Sequence, residues 1–184
     1  ADFIDIQYID QCIVVGHSMG GLVAQQLALA YPSLVKGLVL MSTDAYFPDN
    51  PGMPEFGLEI AAMEKPVDWK YAEAFQLSTC ANPVDAEMMN LWTSESMKVP
   101  LTVWKQALAG ILEADFRARL SEIKAPTLIM AGDRDNFCPK EGHELMHQAI
   151  PGSRLKVFES LGHAVHWENP EAVMLELLNF LQPL

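Results

Sequence analysis

Short unbroken apolar runs punctuate this chain, and between them apolar residues recur at helical spacing. Three such runs fall at residues 12–15 (CIVV), 37–41 (GLVLM) and 127–130 (TLIM), and a fourth segment read as a strand, interrupted by Lys156, at residues 155–158 (LKVF). A short apolar stretch without alternation predicts a strand covered on both faces, as in a parallel sheet. Helical patterning occupies residues 19–30, ending at Tyr31-Pro32, and residues 141–150, opening after Pro139 and stopping at Pro151-Gly152. A further helix starts at Asn169-Pro170-Glu171, a capping residue, a first-turn proline and an early acid. It sets Val173, Leu177, Leu178 and Leu181 on one face. Strands alternating with helices predict an α/β fold, a parallel sheet with flanking helices.

Residues 43–120 break that rhythm. They open with a proline- and glycine-rich loop (FPDNPGMPEFG) and continue as helical patterns without a convincing strand. Met53, Met63, Met88, Met89 and Met97 lie here, with Trp69, Trp92 and Trp104. The chain therefore divides into a core segment 1–42, a helical insertion 43–120 seated over the sheet, and a second core segment 121–184.

Composition narrows the function classes. In 184 residues, 24 acidic against 12 basic side chains leave a net charge of −12. Such a surface repels phosphate backbones and anionic lipid, which argues against nucleic-acid and membrane-surface partners. Cys12, Cys80 and Cys138 are widely spaced, with no CxxC pair, so neither a disulfide framework nor a structural zinc site is expected. That usage fits a reducing compartment, and a cytoplasmic location is expected. Every apolar run is interrupted well before a bilayer's thickness.

The chemistry starts at "CIVVGHSMGG". Gly16-His17-Ser18-Met19-Gly20 fits G-x-S-x-G, with a predicted strand before it and a predicted helix after it. Reversing a strand into a helix around one residue strains that residue, and side chains two positions to either side are expected to collide, hence Gly16 and Gly20. The Ser18 hydroxyl then stands clear of the turn, and Met19 N–H points to where an oxyanion would form. The bland alternative is a glycine-rich turn with an incidental serine.

A serine hydroxyl is a poor nucleophile at neutral pH and needs a base, which in turn needs an orienting acid. "TLIMAGDRDNFCP" ends one predicted strand in a loop carrying Asp133 and Asp135, and "LGHAVHWENPE" follows the next with His163 and His166. Serine, aspartate and histidine at successive strand ends share the sheet edge where open α/β sheets bind ligands. Asp133 is expected to cap the turn, and His166, ahead of Trp167 and the helix cap, to be packed.

"GHSMGG", "GDRD" and "GHAVHWENPE" together resemble the α/β-hydrolase superfamily, specifically its capped, esterase-like serine members. The resemblance runs from Ile6 to the C-terminus. It implies Asp135 as the acid, His163 as the base, and the 43–120 insertion as the cap. It also implies a carboxylesterase-type serine hydrolase working through an acyl-enzyme, with Met19 N–H in the oxyanion hole and no cofactor or metal. The Met- and Trp-rich insertion suggests a small ester with an apolar acyl or aryl group as substrate, in a pocket lined by His17, Trp69, Trp92, Trp104 and Phe137; packing within the cap explains such residues equally well. Carbon–carbon bond hydrolases, perhydrolases and amidases share this triad.

The family's sheet normally has eight strands, with a second oxyanion donor from a His-Gly loop near the start. Here "ADFIDIQYIDQ" reads as the end of the helix before the nucleophile strand, so the chain resembles the C-terminal two-thirds of a member. Two expectations follow: self-association through the uncovered edge of strand 12–15, and low turnover with one oxyanion donor. A non-catalytic binding protein of hydrolase ancestry is the second function class.

"HELMH" at residues 143–147 matches H-E-x-x-H, the zinc-protease signature, with Glu144 as base and Glu159 or Glu168 as third ligand. The continuation HQAIPGS lacks the longer form of that signature. The helix is expected to bury Leu145, Met146, Ala149 and Ile150 and to leave both histidines at the solvent boundary, as an ordinary surface helix.

Overall fold

A computed structural model describes residues 1–184. After a short helix α1 (Asp2–Ile6), the chain runs β1 (Cys12–His17), α2 (Met19–Ala30) and β2 (Val35–Met41). Four helices follow, α3 (Met53–Ala62), α4 (Trp69–Ser78), α5 (Ala86–Met97) and α6 (Leu101–Glu113). The order then resumes as β3 (Thr127–Gly132), α7 (Lys140–Ala149), β4 (Arg154–Phe158), α8 (Val165–Glu168) and α9 (Pro170–Leu181). The strands form one parallel sheet in the order β1-β2-β3-β4.

Period-two alternation sends the side chains of β2 to both faces. Leu38 and Leu40, with Ile129 of β3, pack against Ala24 and Ala28 of α2 and Met146 of α7. Val39 and Met41, with Leu128 and Met130, pack against Val173 and Phe180 of α9. Helices cover both faces of the central strands, as a parallel sheet requires. The expectation of full burial fails for the outer strands. β1 exposes Ile13 (37%) and Val15 (49%), and β4 exposes Arg154 and Lys156. An edge strand has a neighbour on one side only, and no strand lies outside β1.

The helices between β2 and β3 leave and return at one point, where Phe116 N–H donates to the Ala45 carbonyl at 2.9 Å. They enclose their own small core around Phe47, Met53, Ile60 and Leu108, which also takes in Leu22 of α2 and Cys138. Ser18, Asp135 and His163 all follow C-terminal strand ends of the sheet, on the side that these helices flank.

Candidate active site

Ser18 is the single residue between β1 and α2, with φ 51° and ψ −122°. Positive φ is uncommon for a residue with a side chain, and here the surroundings enforce it. Ser18 N–H donates to the Met41 carbonyl at 3.0 Å, and the Thr43 hydroxyl donates to the Ser18 carbonyl at 2.7 Å. A Cβ on Gly16 would collide with the Gly20 carbonyl, as expected. At Gly20 the expectation fails, because a Cβ there would meet open space. The second obligatory glycine is Gly21, whose Cβ would run into the Thr43 side chain. The Ser18 hydroxyl is half-buried and has no protein hydrogen-bond partner. Met19 begins α2, so its N–H has no intrahelical acceptor.

The residues expected as acid and base, Asp135 and His163, lie together. His163 Nδ1 donates to Asp135 at 2.9 Å (Oδ2) and 3.0 Å (Oδ1), and both side chains are buried. With the proton on Nδ1, Nε2 carries the free lone pair, the form a general base needs. Asp135 Oδ1 also accepts from Phe137 N–H and Cys138 N–H, each at 2.8 Å. Asp135 therefore caps its own turn, the role expected of Asp133. Asp133 is exposed and its carboxylate makes no hydrogen bond.

Histidine 17 links the elbow to this pair. Its Nε2–H donates to the His163 carbonyl at 3.0 Å, and its ring centroid lies 4.8 Å from that of His163 and 4.5 Å from that of His166. Burial first, then the neighbouring His163 and His166, pushes the His17 pKa down to about 3. Burial and His163 likewise hold His166 at about 4, in keeping with its expected packed position. Both rings are neutral at neutral pH. His17 thus braces the histidine loop from behind.

The aromatic residues expected at a substrate pocket separate. Phe137 packs on His163 with centroids 5.1 Å apart, and lines a cavity of about 360 Å³ with Met53, Phe56, Tyr71 and Phe75. In that cavity the Tyr71 hydroxyl is pushed up to about 12 by burial and then by Glu59. Trp92 stacks on Trp167 at 3.8 Å beside His166. Trp104 packs edge-on against Phe75 in the insertion's core, and Trp69 is exposed at the start of α4. A second cavity, of about 370 Å³, reaches the elbow between α2 and α6, walled by Met19, Leu22, Val23, Ile111 and Phe116 with Gly110 in its floor.

The H-E-x-x-H residues do not converge. His143 is fully buried, contrary to the solvent-boundary expectation, and Leu145 is exposed instead. His143 Nδ1 donates to the Pro139 carbonyl at 3.1 Å. His147 is exposed and pairs with Ser153 Oγ at 3.0 Å, while Glu144 pairs with Lys140 at 3.0 Å. The donor atoms that do cluster belong to Asp135, Cys138 and His163. Their proximity is accounted for by the histidine–aspartate pair, and burial holds the Cys138 thiol well above its ordinary pKa, hence protonated. Thr43, bonded to the Ser18 carbonyl, and Glu168, bonded to Gly162 N–H, also support the site. The polar run Ser42-Thr43-Asp44 directly after a buried strand was the available signal for the first.

The chain belongs to the alpha/beta hydrolase fold family, whose sequence model matches residues 3–170. It is 30% identical to a 2-hydroxy-6-oxononadienedioate/2-hydroxy-6-oxononatrienedioate hydrolase of Pseudomonas putida, over 97% of this chain and 65% of that protein. It is 26% identical to the pimeloyl-[acyl-carrier protein] methyl ester esterase of Neisseria meningitidis, over 99% of this chain and 61% of that one. The fold superposes on the crystal structure of a hydrolase from Pseudomonas aeruginosa PA01 with a TM-score of 0.86 and 26% identity, covering 98% of this chain and 68% of the other. The chain thus spans just under two thirds of the two curated relatives. No helix is long and apolar enough to cross a membrane.

Proposed function

We propose that the protein is a serine hydrolase that cleaves carboxylic esters through an acyl-enzyme intermediate. Ser18 attacks the carbonyl carbon, His163 Nε2 takes the hydroxyl proton and returns it to the leaving alkoxide, and Asp135 holds the imidazole. Water then attacks the acyl-enzyme with His163 again as base. Met19 N–H steadies the oxyanion. The observation that carries this reading is the buried His163–Asp135 pair braced, through the His17 hydrogen bond to the His163 carbonyl, against the elbow that presents Ser18. The apolar cavity beside Met19 supports an acyl or aryl group as the part of the substrate held there.

The test is hydrolysis of p-nitrophenyl acetate and butyrate by the parent and by Ser18→Ala. Release of p-nitrophenol by the parent and its loss in Ser18→Ala is the expected result. Turnover that survives in Ser18→Ala would refute the assignment, and no turnover by either would favour a binding protein. The Pseudomonas putida relative favours a second reading, hydrolysis of a carbon–carbon bond in a 2-hydroxy-6-oxo-dienoate, which the same serine, histidine and aspartate would serve. Faster turnover of such a dienoate than of either ester would select it.

The reading extends to the open side of the sheet. β1 has an unpaired edge, and Ile13, Val15, Met19 and Val23 are exposed near it, with Phe3, Ile6 and Tyr8 on the preceding segment. Two copies joined through this side would bury that surface. Light scattering should show a mass that rises with concentration, and a sharp monomer would contradict it.

A further inference from the structure

His163 sits in a loop that β4 delivers and α8 closes, and loops of this kind are where backbone position is least determined by a sheet or helix. Here the loop is fixed from outside. Glu168, the last residue of α8, accepts from Gly162 N–H at 2.7 Å through Oε1. Its Oε2 accepts from Ala81 N–H at 3.0 Å, Asn82 N–H at 2.9 Å and Asn82 Nδ2 at 2.8 Å. The turn at residues 79–82, which connects α4 to α5, grips the loop at two further points. Ala164 N–H donates to the Thr79 carbonyl at 2.9 Å, and Asn82 Nδ2 to the Ser160 carbonyl at 2.6 Å.

The residues on both sides of His163 are therefore bonded into this joint, Gly162 through Glu168 and Ala164 through Thr79. Contact is so close at Gly162 that a Cβ there would lie 2.7 Å from Ala81 N and 3.0 Å from Glu168 Oε1. A charge on the rim of a short helix would ordinarily face water. This carboxylate faces a cluster of N–H donors from two separate segments, which only an acceptor with several lone pairs can satisfy together.

We propose that Glu168 is a positioning residue for His163: its carboxylate makes the 79–82 turn of the helical insertion part of the frame that holds the imidazole on Asp135. The insertion then serves the reaction by seating the histidine as well as by lining a pocket. The proposal rests on the serine-hydrolase reading above.

Two variants test it, from opposite sides of the joint. Glu168→Gln keeps the length but puts an NH₂ where one oxygen accepts. Asn82→Ala removes the side-chain bonds and leaves the carboxylate. With p-nitrophenyl acetate, Glu168→Gln should lose roughly 10–100-fold in kcat while KM stays within about twofold of the parent. Asn82→Ala should fall in the same direction by less. Hydrogen exchange should rise in residues 79–85 and 160–168 together in each variant, and the low-field Nδ1 proton of His163 should broaden or vanish in Glu168→Gln.

An unchanged kcat in both folded variants, or exchange that rises in one segment alone, overturns the proposal. Should Glu168→Gln fail to fold, Asn82→Ala decides. A parent that turns over no ester would sink the functional reading separately. In that case the exchange pattern and the His163 proton signal still support or refute the joint.

Discussion

His163 Nδ1 lies 2.9 Å from Asp135 Oδ2 in a setting closed to water, and the same carboxylate receives two backbone N–H groups of its own loop. The pair does two separable things, fixing the tautomer and holding the loop. Asp135→Asn separates them. The amide can keep Oδ1 as acceptor for Phe137 N–H and Cys138 N–H, but its NH₂ faces His163 Nδ1 and favours the wrong tautomer. Turnover should fall by about 10⁴ while circular dichroism and melting temperature change little. Ester kinetics beside a thermal melt check this.

Three neighbouring glycines make a graded test of the elbow. Gly20 sits in the first turn of α2 with open space around its Cβ position, so Gly20→Ala should fold and gain about 0.5–1 kcal/mol from helix propensity. Gly16→Ala and Gly21→Ala meet the Gly20 carbonyl and the Thr43 side chain respectively, and both should lose stability. Urea titrations of the three variants read the order directly. Equal stability of Gly16→Ala and the parent would mean that the turn is looser than described.

The cavity between α2 and α6 gives a specificity prediction. Gly110 lies within α6, lines this cavity, and would carry a side chain into open space. Gly110→Leu should fill the cavity, raise KM for p-nitrophenyl butyrate and longer esters by about tenfold, and leave acetate near parental values, as loss of a few buried methylenes implies. Equal effects on short and long esters would place the acyl group elsewhere.

Stability should depend on pH through one buried and two half-buried histidines. His17, His166 and His143 are depressed by burial, the first two to about 3 and about 4, against 6.5 in the unfolded chain. Between these values the unfolded state binds more protons, so the stability is present above about pH 6.5 and is lost as pH falls toward 4. Asp44, raised by burial, acts in the opposite sense above its ordinary 3.8, since the folded state there holds its proton more firmly. Melting temperature should fall from pH 6.5 to pH 4, and His17→Asn should flatten that slope.

Much of this architecture was legible because it is local. Residues 37–41 and 127–130 read as doubly covered strands since apolar runs flanked by helical periodicity have few other uses, and both are buried at the centre of the sheet. The elbow was legible for the same reason, as strand, turn and helix adjoin in sequence. What escaped depends on contacts between distant residues. The His17–His163 bond spans 146 positions and the Asn82–Glu168 bond 86, so neither leaves a local trace. The burial of His143 beside Met146, where the apolar pattern points to Leu145, likewise depends on what the rest of the fold packs against that helix. The G-x-S-x-G spacing points to Gly20, while the close contact with Thr43 falls on the next residue, Gly21.

The central claim is that Ser18 is an activated nucleophile, and covalent trapping tests it most directly. A fluorophosphonate probe followed by peptide mass spectrometry should place the adduct on Ser18. Labelling should vanish in Ser18→Ala and slow by about 10⁴ or more in His163→Ala. An unlabelled protein, or one labelled equally fast without His163, would contradict the account.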